Sequence, residues 1–114
     1  MSMGTEKRFT FLKVIGTGDG DTDLLTAPAT GETLWVQHIT VTIVTAAAQA
    51  FRIEDKGASP VIFFSAPASL AAGSYYVKLG PVGFPASTSA VTLEFDTAAA
   101  GVAAVISGWG YVRS

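Results

Sequence analysis

The most regular stretch of the chain runs from Leu34 to Thr45, where apolar and polar side chains alternate. Trp35, Ile39, Val41 and Ile43 share one face of the pattern, while His38, Thr40 and Thr42 share the other. A period of two marks a strand with one buried side rather than a helix. Phe51-Arg52-Ile53-Glu54 alternates in the same way, as does Val91 to Asp96, which sets Val91, Leu93 and Phe95 against Glu94 and Asp96. Between such runs, clusters of Gly, Pro, Ser, Thr and Asp break the chain at roughly eight- to twelve-residue intervals, the spacing of all-β domains. Eight strands are predicted, at 8–15, 22–27, 34–45, 50–55, 60–66, 74–80, 90–96 and 102–112. Thr45 to Ala50 offers good helix formers behind an N-cap residue, but Phe51 and Ile53 lie two apart and cannot share a helical face. The expected fold is therefore all-β: a single-domain antiparallel β-sandwich, jelly-roll-like with about eight strands. Residues 1–8 read as a flexible N-terminal arm and 9–114 as the domain.

Two of these strands break the wet-face rule. Val61-Ile62-Phe63-Phe64 is apolar on both sides, and so is the closing run, where Val102, Ala104, Ile106 and Val112 back onto Ala103, Val105, Trp109 and Tyr111. With no helices to cover an apolar outer face, a second subunit is the economical cover. Phe9, Phe11, Phe63, Val105, Trp109 and Tyr111 are the expected interface residues, and a homo-oligomer is the expected state.

Composition removes more chemistry than it suggests. The 114 residues carry no cysteine, which excludes disulfides and thiolate metal sites, and a single histidine, His38. Hydrophobic residues make up 49% and charged residues 14%, yet no apolar run is long enough to span a bilayer as a helix, and the polar N-terminus has no secretory pattern. A net charge of −2 argues against a protein built to neutralise nucleic-acid phosphates. Asp19, Asp21 and Asp23 alternate like the opening of a calcium loop. Leu24 and Thr30, however, stand where the turn glycine and the bidentate glutamate belong, so a polar turn is preferred and no metal or cofactor is assigned. His38 has no second histidine or cysteine to work with, and no serine sits in a nucleophile elbow. Glu32, Glu54, Asp55, Glu94 and Asp96 permit carboxylate pairs of the glycosidase kind, but solvated strand faces explain them. Trp109 with Tyr111, or Tyr75 with Tyr76, could stack on sugars or bases, though packing is the commoner use of aromatics.

Over residues 31–112 the chain resembles the small β-sandwich or jelly-roll virion proteins of tailed bacteriophages, above all capsid decoration (cement) proteins. The resemblance rests on the alternating strand Leu34–Thr45, on Leu70-Ala71-Ala72-Gly73-Ser74-Tyr75-Tyr76-Val77, and on Val105-Ile106-Ser107-Gly108-Trp109-Gly110-Tyr111-Val112. It implies a non-enzymatic protein assembled in the host cytoplasm, with the major capsid protein as partner. It further implies a place on the virion exterior, commonly as a trimer. The competing expectation is a carbohydrate- or receptor-binding β-sandwich such as a tail-fibre or spike tip, which needs an exposed aromatic platform or a polar cleft.

Overall fold

The alternating runs become strands in the computed structural model, which describes residues 6–56, 61–86 and 91–113. Among these, nine strands are formed: β1 Glu6–Ile15, β2 Thr22–Thr26, β3 Thr33–Ile43, β4 Phe51–Glu54, β5 Ile62–Ala66, β6 Gly73–Lys78, β7 Phe84–Pro85, β8 Val91–Thr97 and β9 Ala104–Arg113. Eight match the expected strands. The addition, β7, is a two-residue strand paired with Trp35 and Val36, too short to leave a periodic trace. It follows Gly83, whose φ of +84° and close approach to the Val36 carbonyl exclude a side chain there.

The strands form two antiparallel sheets, β1-β9-β3-β6 with β7 also on β3, and β2-β8-β4-β5. Chain order passes back and forth between the sheets, which is the double Greek key of a jelly roll. Their inner faces enclose one core, in which Val36, Ile39, Val41, Ile53, Leu93, Phe95, Val102 and Ile106 are fully buried.

Several local expectations change. In β3 the pairing with β9 slips between Val36 and His38, a bulge that adds one residue. Beyond it the inward positions are Ile39, Val41 and Ile43; before it they are Leu34 and Val36. Trp35 therefore stands on the same face as His38, not on the face of Ile39. A second slip, where Ile53 pairs with Phe64 and Glu54 with Ile62, makes Phe63 the extra residue of β5. Phe63 and Phe64 both turn toward the other sheet, against Phe84 and Tyr75, so the two-sided apolar pattern of β5 needs no second subunit. Residues 45–50 are not helical, as the spacing of Phe51 and Ile53 predicts. Ala47 is buried and bonds through its backbone to Ser69 and Leu70.

The N-terminal segment is the largest change. Glu6, Lys7 and Arg8, expected in a mobile arm, pair with Arg113, Val112 and Tyr111; residues 1–5 of that arm lie outside the described residues. Phe9 and Phe11 face inward, opposite Gly110 and Gly108. A side chain at Gly110 would run into the Trp35 carbonyl of β3 and meet the Phe9 ring at 2.7 Å, and one at Gly108 would run into the His38 carbonyl and meet the Phe11 ring at 2.7 Å. The two glycines are thus notches in which two phenylalanine rings lie across β9, an arrangement that pins strand register. Gly110→Ala or Gly108→Ala is expected to destabilise the protein by about 1–3 kcal/mol through overpacking. The urea midpoint reads this directly, and an unchanged midpoint would contradict the notch.

Candidate functional site

The outer face of the five-stranded sheet is assembled by register. Tyr111 lies between Arg8 and Trp35; Trp109 lies between Thr10 and His38, which in turn faces Lys78; Ser107 lies between Leu12 and Thr40, which faces Tyr76. Val14, Val105, Thr42 and Ser74 form the row beyond. The bulge in β3 is what brings Trp35 into this set.

The aromatic groups are ordered against one another. His38 and Trp109 stack with ring centroids 4.1 Å apart and planes 5° from parallel, and Trp35 and Tyr111 stack at 6.0 Å and 4°. Tyr76 tilts against His38 at 6.0 Å. At 4.1 Å and nearly parallel, His38 and Trp109 each spend one ring face on the other. Cations flank the row: Lys78 lies 6.0 Å from the Tyr76 ring centre and Arg113 lies 5.5 Å from that of Tyr111. Trp109 is 46% exposed, Tyr76 59%, Leu12 66% and Val14 65%, a concentration of large apolar groups on one face.

Of the expected interface residues, Trp109 is thus the one fully presented. Val105 is half-buried on the same face. Tyr111 faces outward but is covered by its own chain, its hydroxyl donating to the Val82 carbonyl at 2.6 Å. Phe9, Phe11 and Phe63 face the interior and pack against the core. Tyr76 and Lys78, the neighbours that complete the surface, lie in the alternating run 74–80, but only the pairing of β6 with β3 shows that they join Trp109.

His38 shares a hydrogen bond of 2.9 Å between Nε2 and the Thr40 hydroxyl. A hydroxyl beside an imidazole is half of a nucleophile–base pair. Among the described residues no carboxylate bonds the imidazole to orient it. Thr40 itself lies mid-strand, where the main chain is paired on both sides with Ser107 and Tyr76. The arrangement favours packing over acyl transfer.

The acidic residues converge elsewhere, on the outer face of the four-stranded sheet. Asp19 turns back to cap the Gly16 N–H at 2.7 Å, whereas Asp21 accepts from the Thr97 N–H at 2.9 Å. Asp21 therefore leaves Asp19 and joins Glu94 and Asp96, with carboxylate oxygens within 4.8 Å of one another, while Asp23 stands directly opposite Glu94. Among the described residues Asp21, Glu94 and Asp96 have oxygens close enough to share a cation, but two basic side chains already serve them. Lys56 Nζ reaches Glu94 at 2.8 Å, and Arg52 donates to Asp96 at 2.9 Å. Glu54 stands directly opposite Glu94, and both are buried.

Burial first, and then a hydrogen bond with Asp96, pushes the Glu54 carboxyl above its ordinary 4.5. The hydrogen bond from Arg52 holds Asp96 below its ordinary 3.8. A carboxyl raised in the folded state favours folding most when protonated, and this contribution is lost as pH climbs from 4.5 through the raised value. Asp96 acts oppositely: its contribution is present above 3.8 and lost as pH falls through the lowered value. The cluster is expected to be most stabilising at about pH 4–5 and less so toward neutrality. Glu54→Gln should raise Tm at about pH 7 by a few degrees and flatten that decline. A wild-type Tm that climbs steadily from about pH 4.5 to 7 would contradict this assignment.

Compared with known proteins, the chain matches no protein-family model, and no curated protein matches it in sequence.

Proposed function

We propose that the protein is a non-enzymatic structural protein of a tailed-phage virion, of the capsid-decoration type, which docks on the shell through the outer face of its five-stranded sheet. The observation that carries this reading is the exposed set of Trp109, Tyr76, Leu12 and Val14 on one sheet face, beside Tyr111, which the segment at Val82 covers. Interfaces are enriched in Trp, Tyr and Arg, and exposed apolar patches of this kind mark binding surfaces. The jelly roll is itself a fold of viral capsid and lectin domains alike, so fold alone does not choose between shell and glycan. The stacking favours the shell: a sugar platform offers open ring faces, and here His38 and Trp109 each spend one face on the other. The same reading has copies associate as a trimer, as is common among the decoration proteins that the chain resembles.

Co-sedimentation with empty shells tests the docking. Wild-type protein should bind. Trp109→Ser, with an unchanged circular dichroism spectrum, should bind about 30-fold more weakly, the loss of a hot-spot residue on the order of 2 kcal/mol. Equal binding by both proteins would remove the face from the account. Location at the tail tip with affinity for a glycan would install the receptor-binding alternative. Sedimentation equilibrium at micromolar concentration should return three chains, and a clean 11.7 kDa monomer would contradict the trimer.

A further inference from the structure

The charges of this chain are segregated by sheet. Five of the seven basic residues lie on strands of the five-stranded sheet: Lys7, Arg8 and Lys13 in β1, Lys78 in β6 and Arg113 in β9. Of the nine acidic residues only Glu6 does. Asp19, Asp21, Asp23, Glu54, Asp55, Glu94 and Asp96 belong to the four-stranded sheet and the segments adjoining it, with Arg52 and Lys56 among them. Glu32, just before β3, is ion-paired with Lys7 at 3.8 Å, and Lys7 and Lys13 face inward with Phe9 and Phe11. The outer face that presents the aromatic row therefore carries Arg8, Lys78 and Arg113 against Glu6, an excess of two positive charges in a protein of net charge −2. On that face Arg8, Lys78 and Arg113 border Trp35, Tyr111, Trp109 and Tyr76. Arg113 shares its charge with Glu6 at 3.3 Å. Arg8 reaches a neutral partner, the Gln37 side-chain oxygen, at 3.4 Å, and Lys78 lies beside the Tyr76 ring.

We infer that the partner surface for this face is an acidic protein surface, one that sets carboxylates against Arg8 and Lys78 around an apolar centre contacted by Trp109 and Tyr76. The inference rests on the docking reading above and names the chemistry of the partner. Charge complementarity of this sort orients the encounter and sets its rate. The acidic sheet of a second copy is a poorer match. Its carboxylates already hold Arg52 and Lys56, and it lies on the opposite side of the sandwich, so copies joined in this way would extend without closing. Nucleic acid and acidic glycans fit less well, because both draw on open ring faces, and His38 and Trp109 each spend one face on the other. The molecule measures 51 × 25 × 20 Å, so a sheet seen face-on is large enough for the ~800 Å² per partner of a standard protein interface.

Both tryptophans, Trp35 and Trp109, lie on this face, so their fluorescence reports its occupation. The probe is poly-L-glutamate, titrated into the full chain at about 50 mM and about 500 mM NaCl; duplex DNA and polygalacturonate run in parallel, and empty shells run at the same two salt concentrations. Polyglutamate should shift the emission of wild-type protein at low salt. High salt, or the double variant Arg8→Glu/Lys78→Glu, should weaken the response about tenfold, and shell affinity should fall in the same way. The neutral pair Arg8→Gln/Lys78→Gln should give a smaller loss if the reversed charges disturb the strand. No response to polyglutamate, or a stronger one to DNA or polygalacturonate, overturns the inference. Shells that bind equally at both salt concentrations and to both proteins overturn it while leaving the docking reading in place. Polyglutamate binding without shell binding overturns the shell and keeps the acidic partner.

Discussion

The pairing of the first strand with the last holds the rest of this structure in place. β9 runs between β1 and β3 in the centre of its sheet, and its register on β1 is secured by Phe9 over Gly110 and Phe11 over Gly108. A ring lying in a glycine notch fits at one offset only. A slip by one residue would turn every inward side chain of the strand to the opposite face. Because β9 also pairs with β3 along ten positions, the offset chosen by the two phenylalanines is passed on to the partners of Trp109 and Tyr111. The aromatic row on the outside of the sheet is therefore positioned by contacts on its inside.

That coupling gives the two sheets different characters. The five-stranded sheet carries stacked rings, hydroxyls and most of the basic side chains. The four-stranded sheet carries a set of carboxylates shared between Arg52 and Lys56. Like charges directly opposite, as with Glu54 and Glu94, oppose folding, and Arg52 and Lys56 beside them offset this. The open edge of β1 is guarded in another way. Lys7 and Lys13 occupy inward-facing positions along that edge, and an inward-pointing charge discourages pairing with a foreign strand. Docking through the face rather than through the edge is consistent with this arrangement.

The strands were legible because their alternation is strong, and the sandwich follows from eight such runs without a helical competitor. What alternation could not show was where it changes phase. The bulge at Gln37–His38 moves Trp35 from the Ile39 side to the His38 side, and nothing in Trp35-Val36-Gln37-His38 announces an extra residue. The bulge in β5 likewise turns both Phe63 and Phe64 inward, which removes one of the two arguments for a covered outer face. The second argument, from Trp109 and Val105 in β9, keeps its structural basis. Glu6-Lys7-Arg8 read as an arm on polarity alone, although Phe9-Thr10-Phe11 already carried the alternation that β1 extends. The meeting of Asp21 with Glu94 and Asp96 spans more than seventy positions and depends on β2 lying beside β8, which no local pattern encodes.

The central claim is that the outer face of the five-stranded sheet is covered by protein in the assembled particle. Hydroxyl-radical footprinting of the free protein and of intact particles measures this most directly. The account predicts that Trp109, Tyr76 and Leu12 lose reactivity on the particle. Ile62, an exposed large apolar residue on the other sheet, should react as before. Trp109 and Tyr76 equally reactive in both states would contradict the claim.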